Sequence, residues 1–219
     1  MPDNLVIPPA LALGGLIGAA APAGPFPLDR FENGLDRLKS LGFQILVPPE
    51  ILEKQGFLAG PDRLRASILN RLLADPQVGA VIGARGGYGS MRLLDRLDYR
   101  QAALRPKIVL GFSDLTALLL ALHQKSGLVT FHGPVVTSLA EADQESVDHL
   151  ARLLLGRPVF PLSLAGCRIL REGRTEGRLW GGNLTLIVHL LATDWLPPFD
   201  GAVLFLEDTS EPPYRLDRL

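Results

Sequence analysis

The chain has 219 residues, of which 47% are hydrophobic and 21% are charged, a composition typical of a soluble globular protein with one large domain or two modest ones. Its formal net charge of −1 provides no attraction to nucleic acid or to an acidic membrane, so we expect neither as a partner. The single cysteine, Cys167, excludes an internal disulfide and fits a reducing compartment.

An uncharged stretch at residues 5–28 opens the chain and has two interpretations, a secretion signal or a buried strand. Residues 1–4 carry the acidic Asp3 and no Lys or Arg, whereas a signal needs a basic start. Several prolines within the stretch also argue against a membrane helix. We therefore predict a buried strand at residues 15–21, followed by a loop rich in Pro and Gly.

Strands and helices then alternate. Apolar residues spaced three or four apart predict helices at residues 28–42, 61–75, 91–99, 114–127 and 144–156. Short apolar runs predict strands at residues 43–49, 78–84, 107–112 and 128–134. Strands separated by helices pair in parallel, so residues 1–155 are predicted to form an α/β domain whose mostly parallel sheet has helices on both faces.

The pattern changes after Gly156. Residues 156–167 contain prolines and read as a linker. We expect residues 168–219 to begin a smaller, β-rich C-terminal domain. Its predicted elements are a turn-linked pair of strands within residues 167–183, a helix at 184–193, a strand at 202–208 and the start of another helix after that. So few elements bury little apolar surface, which indicates an incomplete domain.

Ser113 lies where the strand pattern of "KIVLGF" gives way to a helical one. In an open α/β sheet, ligands bind beyond the carboxyl ends of the strands. A serine there can expose its hydroxyl beside the unpaired N–H groups of a helix start. The segment matches half of the hydrolase motif G-x-S-x-G, since Leu115 replaces the second glycine. Ser113 is therefore either a nucleophile or a helix N-cap.

Three other segments are candidate site elements. The glycine-rich residues 84–90 form a turn whose backbone N–H groups either hold a phosphate or face a carbonyl oxygen near Ser113. Their spacing matches neither the dinucleotide-binding motif nor the P-loop motif. Glu207 and Asp208 follow an apolar strand and either orient a histidine or form a solvated turn. Asn183 is a candidate helix cap.

A serine nucleophile needs a base, and the chain has four histidines. His123 lies ten residues into the helix after Ser113, about 15 Å along its axis, which is too far from the hydroxyl. His149 lies on the exposed side of its helix, and His189 lies within an apolar helix. His132 ends a strand and is placed to line the same cleft. None of the four is a convincing base.

Five segments occur in an order and spacing that resemble the LD-carboxypeptidases. These are the muramoyltetrapeptide carboxypeptidases and their relatives, the microcin C self-immunity peptidases. The segments are "RGGYGSMRLLDRLD", "PKIVLGFSDLTALLLAL", "TFHGP", "GGNLTL" and "LFLEDTSEPPYRLDRL".

The resemblance implies a serine peptidase with a Ser-Glu-His triad. Such an enzyme removes the terminal D-alanine of a muropeptide tetrapeptide during cytoplasmic cell-wall recycling. We expect a homodimer that needs no metal or other cofactor. The implied nucleophile is Ser113 and the implied triad glutamate is Glu207. The implied oxyanion donors are the backbone N–H groups of Asp114, Gly86 and Gly87, and the implied substrate-binding residues are Arg85, Tyr88 and Asn183.

The family's catalytic histidine lies beyond "YRLDRL", so we expect these 219 residues to be a fragment of a longer chain. Three alternatives stay open. In the first, the substrate is a microcin-like acyl-nucleotide peptide, and Trp180 or Trp195 clamps its adenine. In the second, the protein lacks the base and binds muropeptides without cleaving them. A nucleotide-binding regulator is the least favoured, since the glycine loop has no phosphate-binding lysine.

Overall fold

The computed structural model describes residues 5–162 and 166–219. Asp3 and part of the predicted linker at 156–167 lie outside the described residues. The strands are β1 (Leu16–Ala20), β2 (Gln44–Leu46), β3 (Val78–Gly83), β4 (Ile108–Gly111), β5 (Phe131–His132), β6 (Arg178–Asn183) and β7 (Ala202–Glu207). The α-helices are α1 (Leu28–Ser40), α2 (Asp62–Ala74), α3 (Tyr99–Leu104), α4 (Thr116–Ser126), α5 (Val136–Leu139), α6 (Gln144–Leu154), α7 (Leu184–Leu190) and α8 (Pro213–Leu216).

The first five strands form one parallel sheet in the order β2-β1-β3-β4-β5. One apolar cluster packs α2, α4 and α7 against one face, and a second packs α1, α5 and α6 against the other. The prediction of an α/β fold with helices on both faces is confirmed. Strand β1 lies inside the sheet, so the uncharged N-terminal stretch does form a buried strand. In the described part of the chain, no helix combines the length and apolar character needed to cross a membrane.

The C-terminal part contains a second, two-stranded sheet. Helix α7 connects β6 to β7, and the two strands pair in parallel with Asn183 opposite Glu207. The predicted pair of strands within 167–183 is wrong. Residues 166–177 are exposed and form no strand, because the partner of β6 is the later strand β7. The domain boundaries at 155 and 167 remain predictions.

The structure differs from the sequence prediction in the segments before and after β4. The predicted helix at 91–99 is instead a 3₁₀ segment, Ser90–Arg96, followed by the separate helix α3. Asp98 separates the two, because its side chain caps α3 by accepting a hydrogen bond from the N–H of Gln101 at 3.0 Å. Strand β5 has only two residues, and the short helix α5 that follows it has no clear sequence signal.

Candidate active site

Ser113 occupies a strained turn at the carboxyl end of β4. Its φ is 59°, the left-handed region that residues with a Cβ rarely adopt. A 3₁₀ turn, Ser113–Leu115, precedes α4. Neither the turn nor the helix has a side-chain cap at its start, so Ser113 does not act as the predicted alternative, an N-cap. Strain of this kind costs on the order of 1–3 kcal/mol and is characteristic of functional sites.

The glycine-rich turn after β3 lies directly against Ser113. A Cβ built on Gly86 would lie 3.0 Å from Ser113 Cβ, 3.1 Å from Ser113 Oγ and 3.7 Å from the backbone nitrogen of Asp114. Strands β3 and β4 are neighbours, which brings the two loops to the same edge of the sheet. Gly87 has a φ of 111° and packs against Gly24 in the loop after β1. The turn therefore needs glycine because Gly86 packs against the side chain of Ser113 and Gly87 packs against the backbone of Gly24.

The small C-terminal sheet docks onto the start of α4. The Thr116 hydroxyl oxygen accepts a hydrogen bond from the backbone N–H of Asn183 at 3.0 Å. Gly182 lies so close that a Cβ there would be 2.6 Å from Thr116 Cγ2. Since Asn183 is the register partner of Glu207, this contact brings Glu207 to the Ser113 turn.

The adjacent carboxylates of Glu207 and Asp208 have different surroundings. Asp208 accepts hydrogen bonds from the Thr185 hydroxyl at 2.7 Å, the Thr185 N–H at 3.1 Å and the Asn183 amide at 3.2 Å. Burial raises the pKa of Asp208, but these hydrogen bonds and that of the Thr209 N–H outweigh it and hold the pKa below its usual value. Asp208 therefore anchors the start of α7.

Glu207 is the carboxylate that faces Ser113. Burial, followed by the charge of Asp208, raises its pKa, while the Asn183 side chain and the backbone N–H of Ser113 partly oppose the increase. Its Oε1 is buried and has no hydrogen-bond partner among the described residues. A buried oxygen without a partner is costly, so this atom is suited to accept a hydrogen bond from a further group.

The four histidines lie in different surroundings. The ring of His132 contacts Phe112, the residue before Ser113, at a centroid distance of 6.2 Å and Phe205 on β7 at 5.2 Å. That His132 lines the cleft remains a prediction. Burial lowers the pKa of His132. His123 Nδ1 is hydrogen-bonded to the carbonyl of Leu128, and His189 Nδ1 to the carbonyl of Thr185. His149 lies on α6. Within the described residues, none of the four is hydrogen-bonded to Ser113 or Glu207.

The three predicted substrate-binding residues differ in their exposure and in their contacts within the protein. Tyr88 is 56% exposed and contacts the ring of Phe57 edge-on at 5.5 Å. Arg85 is exposed and donates to the carbonyl of Pro25 at 2.6 Å. Asn183 is buried and caps α7 by accepting from the N–H of Leu186, as its sequence position suggested. A substrate contact by any of the three remains a prediction.

Trp180 and Trp195 pack against the apolar cluster that contains α4. Trp180 contacts His123 and Phe199, and Trp195 contacts Tyr99 and Lys125. This packing does not favour the adenine clamp considered for these residues.

Sequence reasoning missed two residues that shape the site, Arg65 and Thr116. Arg65 is a charged residue in the buried stripe of α2, with Ile68, Leu69 and Leu72 following at helical spacing. That position was a usable signal, because an arginine on a buried face needs polar partners. Thr116 had no comparable signal, since its partner Asn183 is 67 residues away.

The fold and the site define an α/β protein with a serine on a strained turn between a strand and a helix. Residues 17–133 match the LD-carboxypeptidase N-terminal domain, and residues 176–219 match the LD-carboxypeptidase C-terminal domain. The murein tetrapeptide carboxypeptidase of Pseudomonas aeruginosa is 36% identical over 93% of this chain and 69% of that protein. The microcin C7 self-immunity protein of Escherichia coli is 30% identical over 95% of this chain and 71% of that protein.

A solved structure agrees with these matches. The muramoyltetrapeptide carboxypeptidase from Oxalobacter formigenes has a TM-score of 0.80 and 29% identity to this chain, covering 93% of this chain and 69% of that one. The chain therefore belongs to the LD-carboxypeptidase family, as the resemblance in the sequence predicted.

Proposed function

We propose that the protein is a serine carboxypeptidase that removes the terminal D-alanine from muropeptide tetrapeptides by cleaving an L,D peptide bond. The observation that carries the proposal is the strained turn of Ser113, with the Gly86 backbone packed against its hydroxyl. The names of its relatives from Pseudomonas and Oxalobacter support the choice of substrate.

The reaction is an acyl transfer. A histidine that the family resemblance places beyond Leu219 accepts the proton of Ser113 Oγ, while Glu207 Oε1 accepts a hydrogen bond from that histidine. The alkoxide attacks the amide carbonyl carbon, and the resulting oxyanion is bound by the backbone N–H groups of Asp114 and the Gly86–Gly87 turn. The histidine then protonates the departing D-alanine amine, and water hydrolyses the serine ester.

The surroundings of the two carboxylates support this division of roles. Glu207 has a free buried oxygen, whereas the oxygens of Asp208 are already hydrogen-bonded by residues of its own sheet and of α7. Arg85 and Tyr88, beside the glycine turn, would contact the peptide. A cytoplasmic location and a homodimer complete the proposal. Fractionation of cells and light scattering of the purified full-length protein would test these two points.

The test of the function uses full-length protein and a muropeptide tetrapeptide. Wild-type protein should release D-alanine, Ser113→Ala should release none, and the exposed helical serine of α2 changed as Ser67→Ala should behave as wild type. Undiminished release by Ser113→Ala, or none by the wild type, would reject the proposal.

A further inference from the structure

The side chain of Asp114, the residue after the proposed nucleophile, is tied to the far end of the glycine-rich turn. It is buried, with 3% of the residue exposed. Its carboxylate oxygens accept hydrogen bonds from the backbone N–H groups of Gly89 at 3.3 Å and Ser90 at 2.8 Å. The buried hydroxyl of Ser90 donates to the main-chain carbonyl of Asp114 at 2.5 Å. Three hydrogen bonds thus join the Ser113 turn to the glycine-rich turn.

Arg65 holds the same turn from the other side. Only 1% of this arginine is exposed, and Asp62 balances its charge at 2.5 Å. Its guanidinium donates to the carbonyl of Gly89 at 3.0 Å and to that of Gly60 at 3.1 Å. The N–H of Gly89 is therefore held by Asp114 and its carbonyl by Arg65, and both bonds are charge-assisted.

These contacts determine where the proposed oxyanion donors lie. Gly86 and Gly87 come just before Gly89, and Gly86 is the residue packed against Ser113. The opposite end of the turn is held by other contacts: Gly24 donates to the carbonyl of Gly86 at 3.3 Å, and Arg85 donates to the carbonyl of Pro25 at 2.6 Å. Asp114 is therefore the side chain that joins the Gly89 end of the turn to the segment of Ser113, and Arg65 fixes that end from the other side.

We infer that the Asp114 carboxylate and the Arg65 guanidinium are positioning groups, which hold the Gly86–Gly87 backbone where it binds the developing oxyanion. The inference rests on the proposed function for the role of that backbone. Because both groups are buried, they act through the turn and leave substrate binding unchanged. Their removal lowers kcat and leaves KM nearly unaltered.

The experiment compares Asp114→Asn, Ser90→Ala and Arg65→Lys in full-length protein. Asp95→Asn, at an exposed aspartate beyond the turn, is the matched control. Two readouts are needed: kcat and KM for the tetrapeptide, and the rate and end point of labelling by a fluorophosphonate, which needs the oxyanion site but no muropeptide. A misplaced donor costs on the order of a hundredfold, so Asp114→Asn should lose about ten- to a hundredfold in kcat and in labelling rate.

The labelling end point separates positioning from folding. A purely structural role lowers the fraction of protein that labels, whereas a positioning role lowers the rate and leaves the end point at wild type. If Asp114→Asn does not fold, Ser90→Ala decides, and it should show the same pattern with a smaller loss. Wild-type labelling rates in the folded variants, or losses confined to KM, would overturn the inference. Labelling of wild type without D-alanine release would reject the proposed substrate and still test the positioning role.

Discussion

Replacing Gly86 by alanine tests the contact between the glycine turn and Ser113. The new Cβ would lie 3.0 Å from Ser113 Cβ and 3.1 Å from its Oγ. Carbon atoms in van der Waals contact are about 3.5–4.0 Å apart, so Ser113 or the turn must move by a few tenths of an ångström. No other atom lies within 3.4 Å of this Cβ, so the strain falls on the nucleophile and the backbone donors.

A movement of this size has a small effect on stability and a larger effect on catalysis. An oxyanion donor must lie about 2.7–3.1 Å from the oxyanion, and a misplacement of about 1 Å can cost on the order of a hundredfold in rate. The shift required here is a fraction of that distance, so we expect Gly86→Ala to lose about tenfold in kcat, equivalent to about 1.4 kcal/mol in the activation barrier. Overpacking should lower the free energy of unfolding by about 1–3 kcal/mol, leaving KM nearly unchanged.

The assay is D-alanine release by full-length protein, with urea unfolding to confirm that the variant is folded. Gly173→Ala is the matched control, because a Cβ at that exposed glycine meets no atom within 4 Å and its backbone is not left-handed. The control should equal the wild type in both measurements. A folded Gly86→Ala protein with wild-type kcat would refute the placement of the turn against the nucleophile.

Three further predictions concern docking, strain and pH. Gly182→Ala should push β6 away from Thr116 and Glu207 away from Ser113, so kcat for D-alanine release should fall by at least about tenfold; an unchanged kcat would show that this contact does not place Glu207. Ser113→Gly should unfold in urea with a free energy about 1 kcal/mol higher than Ser113→Ala, since glycine adopts a φ of 59° without strain; equal stabilities would contradict a strained turn. Burial lowers the pKa of His123 in the folded chain. Below about pH 6.5 the unfolded chain therefore takes up a proton at this residue that the folded chain does not. As pH decreases through this range, the free energy of unfolding falls by at most about 1.4 kcal/mol per pH unit. In urea titrations at several pH values, His123→Leu should make the free energy of unfolding depend less steeply on pH. An unchanged dependence would contradict a lowered pKa of His123 as its cause.

The sequence predicted the sheet and its helices because apolar residues at helical spacing, as in α1, identify a helix with one face packed against a sheet. It also placed Ser113 and the glycine turn at strand ends, and the parallel pairing of β3 with β4 brings them together. The predicted partner strand of β6 was wrong, because local residues do not reveal that β6 pairs with β7, which follows it after α7.

The contacts that join the two parts of the site were beyond sequence reasoning for the same reason. The hydrogen bond between Asn183 and Thr116 links residues 67 positions apart, and nothing in either local pattern requires it. The different surroundings of Glu207 and Asp208 likewise depend on the position of Thr185 at the start of α7. Only the folded arrangement shows which carboxylate keeps a free oxygen.

The central claim, that Ser113 is the nucleophile, is tested most directly by trapping its ester. Full-length protein is mixed with tetrapeptide, quenched in acid within the first turnover and digested for mass spectrometry. The account predicts a tripeptidyl ester on the peptide that contains Ser113, and its absence from Ser113→Ala together with D-alanine release. An ester on another residue, or turnover by Ser113→Ala, would contradict it.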